Sequence, residues 1–112
     1  MSEFEKEFAK ATAKVEKYIR KLAKAQYMVG TLYYSGQGVE QDYTEAVRWH
    51  TKAAERGYVD AQFNLGVMYY FGLGVKQNYA EALRWYTKAA EKGNDYAQYW
   101  ADRVTKKMEN EK

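Results

Sequence analysis

The sequence predicts an all-α fold, a solenoid of paired helices, and three observations predict it. The stretch from Ala25 to Asp60 is followed at once by a second copy of itself, Ala61 to Tyr96. The period is 36 residues, and 20 of the 36 aligned positions are identical. Such a period marks a stacked architecture in which each unit buries its apolar face only against its neighbours. Within each copy, apolar residues recur at spacings of three and four, the signature of helices rather than strands. Capping boxes and glycines punctuate those stretches at the same places in both copies.

The elements follow in order. Residues 1–24 match neither half of the repeat. Phe4, Phe8, Ala11, Val15, Tyr18 and Leu22 are spaced 4, 3, 4, 3, 4, and the series continues in phase through Ala25, Val29 and Leu32. Ser2 with Glu5 forms a capping box. The simplest reading is one continuous helix from about residue 3 to 34, roughly 48 Å long at 1.5 Å per residue. The alternative is two helices with a tight break near Lys24. The apolar stripe of the extension needs a covering surface, and the expected one is the C-terminal helix of the same chain.

Each repeat then supplies a helix A and a helix B. Helix A covers about Gln26 to Tyr34 and Gln62 to Tyr70, with Ala61, Leu65, Met68 and Tyr69 along one face of the second copy. Gly30 and Gly66 interrupt it at the same slot, where Gly costs roughly 0.5–1 kcal/mol relative to Ala, so another helix is expected to pass close there. The loops SGQGVEQ and FGLGVKQ follow. Helix B opens on Asp42 with Glu45 and on Asn78 with Glu81, again the capping-box spacing. Its apolar stripe is Ala46, Trp49, Ala53 in one copy and Ala82, Trp85, Ala89 in the other. Gly57 and Gly93 end it, and Asp60 and Asp95 are the expected caps of the helices after them. Residues 97–112 begin a third copy and diverge, with Ala97, Trp100, Ala101, Val104 and Met108 at helical spacing. Arg103, Lys106 and Lys107 give this segment the polar outer side of a capping helix. The whole chain of 112 residues is expected to be a single domain of five helices. Its parts are the extension 1–24, repeats 25–60 and 61–96, and the cap 97–112.

The repeat resembles the Sel1-like repeat family, a relative of the tetratricopeptide repeats. The residues that carry the likeness are A-x-x-x-[VL]-G-x-x-Y-Y-x-G-x-G-V at Ala25 to Val39 and Ala61 to Val75. They continue with Y-x-E-A-[VL]-R-W at Tyr43 to Trp49 and Tyr79 to Trp85, and with K-A-A-E-x-G at Lys52 to Gly57 and Lys88 to Gly93. The likeness covers about 72 of the 112 residues. It departs from the family where Glu40 and Lys76 stand after G-x-G-V, a place that often holds Pro. The resemblance implies a right-handed superhelix of antiparallel helix pairs and a role as a protein-binding adaptor or scaffold. It also implies that helix A lines the concave side. The candidate partner-binding residues are therefore Met28, Thr31, Tyr34, Asn64, Val67 and Tyr70.

Composition narrows the function classes. There is no Cys and one histidine, His50, so no Cys-His or Ser-His-Asp arrangement can be assembled. His50 reads as a surface or half-buried packing residue, since Tyr86 replaces it in the second copy. No catalytic, cofactor-binding or metal site is expected. Gly36-Gln37-Gly38 lacks the strand, third Gly and Lys of a phosphate loop. Trp49 and Trp85 read as core residues rather than base-stacking platforms. Residues 1–24 carry seven basic and four acidic side chains, while residues 25–112 carry eleven of each. The basic stripe Lys10, Lys14, Lys17, Lys21 and Lys24 reads as a solvated face. Neither nucleic acid nor membrane is expected as a partner. No apolar run approaches the roughly 18 residues of a membrane span, and MSEFEKEF is not a secretory leader. A soluble chain compatible with the cytoplasm is the expectation.

The absence of Pro and Cys, the tidy caps and the regular N-terminal heptads read as an engineered or designed repeat protein with no native ligand or required partner. The alternative is a natural protein–protein interaction adaptor that holds a protein or peptide in its concave groove. A monomer is expected rather than a homodimer.

Overall fold

The computed structural model describes residues 1–111. Five helices follow one another: α1 (Glu3–Ser35), α2 (Tyr43–Glu55), α3 (Val59–Phe71), α4 (Tyr79–Glu91) and α5 (Asp95–Asn110). No strand occurs among the described residues. Nor does any helix among them reach the length and apolarity needed to cross a membrane. Packing runs along the chain, α1 on α2, α2 on α3, α3 on α4 and α4 on α5, as in an α-solenoid.

α1 is continuous, with no break near Lys24. The Ser2 hydroxyl accepts from the Glu5 amide at 3.1 Å and starts it, and Gly36 ends it. Asp42 and Asn78 cap α2 and α4 in the same way, accepting from Glu45 and Glu81. Two caps differ from expectation. Asn94, not Asp95, caps α5 by accepting from the Ala97 amide at 3.0 Å. α3 has no side-chain cap, and Asp60 lies inside its first turn rather than before it. The turn after Gly57 is two residues shorter than a cap at Asp60 requires, and the turn after Gly93 one residue shorter than a cap at Asp95 requires. The acidic side chain then meets the positive end of the helix dipole from within.

The loops between helices A and B repeat their hydrogen bonds. Gln41 and Gln77 side chains donate to the carbonyls of Tyr34 and Tyr70 at 2.9 and 2.7 Å. Asp42 and Asn78 amides donate to Tyr33 and Tyr69 at 2.9 Å each. Glu40 and Lys76 therefore sit in loops closed without a proline. Between repeats, the Lys92 ammonium donates to the Gly57 carbonyl at 2.9 Å.

The core is built on small residues. Ala46, Ala53, Ala61, Leu65 and Met68 form one cluster with Trp85. Ala82, Tyr86, Ala89, Ala97 and Val104 form the next. The alanines let helix axes approach, and the large rings then fill what is left. Helix B is buried over a wider arc than a single stripe. His50, expected at the surface or half-buried, is 1% exposed and Tyr86 in the same slot 0%, while Trp49 is only half-buried. Helix B is sandwiched between the helix A before it and the helix A after it, so it has two inner faces.

The internal glycines explain this burial. A Cβ at Gly66 would lie 2.5 Å from Cδ1 and Cε1 of Tyr86, and one at Gly30 would lie 3.0 Å from the His50 ring. Helix B does pass close at these slots, and it does so through a ring laid on the glycine. Gly66→Leu should therefore lower stability by about 1–3 kcal/mol through overpacking, although helix propensity alone favours Leu. A denaturant titration with an unchanged or raised midpoint would contradict this.

The N-terminal extension corrects a second expectation. α5 does not cover it: Phe4 is 87% exposed, Phe8 73%, and Val15, Tyr18 and Leu22 are also exposed. In a solenoid each helix meets only its neighbours, and three helices separate α1 from α5. Deleting residues 1–21 should therefore cost less than about 1 kcal/mol in thermal or chemical unfolding, as for other exposed side chains. At a concentration where the chain is monomeric, a loss of several kcal/mol would show that the seam is packed within the chain.

Candidate binding groove

Helices A of the two repeats, the C-terminal part of α1 and α3, flank a groove floored by α2. Its cavity holds about 180 Å³ and is lined by Tyr27, Thr31, Tyr34, His50, Asn64, Val67 and Met68. Four of the six residues singled out by sequence line it: Thr31, Tyr34, Asn64 and Val67. Met28 stands outside it and is exposed. Tyr70 lies one repeat further on, beside Tyr99, Asp102, Arg103, Lys106, Lys107 and Asn110. Sequence reasoning missed Tyr27, His50 and Met68. For His50 the available signal was the glycine, since the gap at Gly30 is filled by the His50 ring of helix B.

The walls are aromatic. Tyr27 lies 5.3 Å from the His50 ring and 5.1 Å from Tyr58, and Tyr34 lies 5.1 Å from Tyr43. The Thr31 hydroxyl donates back to the Tyr27 carbonyl at 3.1 Å, so it is already satisfied. The lining also carries the Asn64 amide and the Tyr27 and Tyr34 hydroxyls, with the His50 imidazole buried beneath. Burial lowers the His50 pKa to about 4, so the ring is neutral at pH 7. Its Nδ1 is buried without a partner. Burial likewise raises the Tyr86 hydroxyl above the ordinary tyrosine value.

His50 makes stability pH-dependent. Above its unfolded pKa near 6.5 the imidazole is neutral in both states and the fold is unaffected. Below that, the unfolded chain takes up a proton that the folded chain refuses until about pH 4. Stability should therefore fall between pH 6.5 and 4, by roughly 3 kcal/mol. His50→Tyr, the residue of the second copy, should flatten that window in thermal unfolding. An equally steep decline in the variant would contradict the assignment.

The outer side of helix B is built differently. Arg48 and Lys52 lie over the Trp49 ring at 5.1 and 4.8 Å, and Arg84 and Lys88 over Trp85 at 4.4 and 5.7 Å. Arg48 and Arg84 also pair with Glu45 and Glu81 at 3.1 and 3.2 Å. These groups satisfy one another and leave the indoles covered by cations rather than open for stacking. No cluster of three metal-ligating side chains occurs among the described residues.

A family model described as Sel1 repeat matches residues 23–58 and 59–94. Three solved structures are similar. One is a protective antigen of uropathogenic Escherichia coli strains displaying an SLR fold. It has 50% identity and a TM-score of 0.67, over 68% of this chain and 16% of that one. A Sel1 repeat protein from Oxalobacter formigenes has 41% identity and a TM-score of 0.72, over 73% and 24% of the two chains. Cysteine-rich protein B of Helicobacter pylori has 25% identity and a TM-score of 0.66, over 77% and 68%. The chain thus spans less than a quarter of the length of each of the first two proteins. Comparison with curated protein sequences returned no match.

Proposed function

The chain belongs to the Sel1 repeat family, and from that membership we propose that it is a non-catalytic protein-interaction module. A short segment of a partner lies along the groove between α1 and α3. The observation that carries this reading is the open cavity on the helix A side, walled by Tyr27, Tyr34 and Val67. Aromatic walls with few polar groups suit side-chain insertion, and rigid helices on both sides keep the ordering cost low. Catalysis has no support in the residues. The single histidine is held neutral in the core, and no thiol is present. Thr31, Tyr34, Asn64 and Val67 are the contact residues in this reading. Met28 and Tyr70 extend the surface at either end.

Selection of a displayed random-peptide library on the chain tests it. Enriched peptides should bind the wild type and lose at least tenfold in affinity on Val67→Glu, since a charge is then desolvated in the groove. They should be indifferent to Glu55→Lys on an exposed helix end. Peptides that tolerate Val67→Glu would overturn the groove as the site. A second reading is an engineered assembly of such repeats without a native ligand. The absence of Pro and Cys and the side-chain caps on α1, α2, α4 and α5 favour it. A selection that enriches no groove-dependent sequence would support that reading over the first.

A further inference from the structure

The chain contains its own picture of a filled groove. A shift of 36 residues carries Asn64 onto Trp100, His50 onto Tyr86 and Tyr34 onto Tyr70. In the second groove, between α3 and α5, Trp100 lies parallel to Tyr86, with ring centroids 6.3 Å apart and an interplanar angle of 21°. It also meets Tyr70 edge-on at 5.8 Å. In the first groove the same position holds Asn64, and the cavity opens there. We propose that this cavity binds an aromatic side chain of the partner, in the place that Trp100 takes in the second groove, above the buried His50 ring. The proposal rests on the groove being the partner site and names the chemistry it accepts. The size agrees: an apolar cavity of about 150 Å³ is enough to take up benzene, and this one holds about 180 Å³. The wall agrees as well, because Tyr34 is the counterpart of Tyr70 and can give an incoming ring the edge-on contact that Tyr70 gives Trp100.

The probe is N-acetyl-tryptophan amide, followed by amide chemical shifts of the full chain. Saturable shifts at Thr31, Asn64 and Val67 are expected, with N-acetyl-leucine amide binding at least fivefold more weakly. Asn64→Trp should fill the cavity from within, abolish those shifts and raise the melting temperature. Absence of saturable shifts, equal binding of the leucine probe, or a lowered melting temperature in Asn64→Trp would overturn the proposal. Groove-binding peptides lacking any aromatic residue would also sink it while leaving the interaction module intact. Conversely, probe binding without any peptide would separate the pocket from that role.

The N-terminal extension carries an independent surface, and we infer that its occupant is a second copy of this chain, antiparallel. Phe4, Phe8, Ala11, Val15, Tyr18 and Leu22 keep a strict heptad spacing, which specifies a narrow supercoiled seam rather than a broad face. None of them is covered. One flank of the seam reads Glu3, Glu7, Lys10, Lys14, Lys17, Lys21, Lys24, acidic at its start and basic at its end. With Phe4 opposite Leu22 of the second copy, like flanks meet and Glu7 faces the second copy's Lys21, twice by symmetry. Lys14 meets its own counterpart, an unfavourable contact at the centre. A parallel pair would set Glu7, Lys14 and Lys21 against Thr12, Ile19 and Gln26 and form no such ion pairs.

Light scattering and sedimentation equilibrium test this on the full chain. A concentration-dependent dimer is expected, and Phe8→Asp should make it monomeric without unfolding the repeats, because Phe8 is exposed in the monomer. Glu7→Lys and Lys21→Glu should each weaken dimerisation several-fold, and the double swap should restore it. The two residues lie about 21 Å apart along one helix, so no contact within a chain can mimic the restoration. A wild-type monomer at millimolar concentration, or a double swap that fails to restore, would overturn the inference. So would a monomer that instead sediments with phosphatidylserine vesicles.

Discussion

Tyr86→Ala should lower stability by about 3–5 kcal/mol, as much as Trp85→Ala, because each removes a large buried ring and leaves a cavity. Tyr86 is fully buried and Trp85 nearly so, at 0% and 4% exposure. Tyr86 fills the gap over Gly66, lies 5.6 Å from Phe63 and stacks on Trp100, so it joins α3, α4 and α5. Its loss reaches three helices, as does that of Trp85, which packs into the cluster between α2, α3 and α4. Chemical denaturation of both variants checks this. A Tyr86→Ala penalty below about 1 kcal/mol, the range of surface substitutions, would show that helix B has only one inner face.

Gly74→Ala should be nearly as damaging, and Gly38→Ala should not. Both glycines occupy the left-handed region, at φ 74° and 76°, so both replacements meet the same backbone penalty of about 1–2 kcal/mol. Only Gly74 has a neighbour. A Cβ there would collide with the Tyr43 carbonyl and the Thr44 amide at the start of α2, while a Cβ at Gly38 would meet nothing within 4 Å. The loop of the second repeat rests on the backbone of the first, and backbone cannot turn aside as a flexible side chain can. Overpacking adds about 1–3 kcal/mol, giving roughly 3 kcal/mol or more for Gly74→Ala. Equal melting temperatures for the two variants would mean that the repeats are not docked through this loop.

Much of this fold was legible in the sequence because it repeats. The period set the helix pairs, the Asx-x-x-Glu spacing placed α2 and α4, and Gly30 with Gly66 announced a close approach. The errors share a physical origin. A single apolar stripe through Ala46, Trp49 and Ala53 leaves His50, and Tyr86 in the second copy, off the buried side of helix B. A helix between two neighbours has two buried arcs, and a periodic pattern shows only the stronger. The heptad from Phe4 to Leu22 shows that a seam exists but not what lies against it, and the order of packing along the solenoid rules out α5. Asn94 was missed because Asp95 offered a better-looking cap one residue later. At the groove, Thr31, Tyr34, Asn64 and Val67 followed from helix A lining one side. His50 did not, because a floor supplied by helix B depends on three-dimensional packing; Tyr27 lies on helix A but outside the positions picked from it. The contrast between Asn64 and Trp100 is written in the chain, yet it acquires meaning only once α5 is seen to continue the helix A row.

The central claim is that a partner segment lies in the groove between α1 and α3. Site-specific photocrosslinking tests it most directly, with p-benzoylphenylalanine placed in turn at Thr31, Val67, Arg48 and Arg84 and a groove-selected peptide added. Thr31 and Val67 line the cavity, whereas Arg48 and Arg84 stand on the cation-covered side of helix B. Crosslinks should form from Thr31 and Val67 and be lost when unlabelled peptide competes. Equal or greater crosslinking from Arg48 and Arg84 would place the partner on the other side of the solenoid and contradict the account.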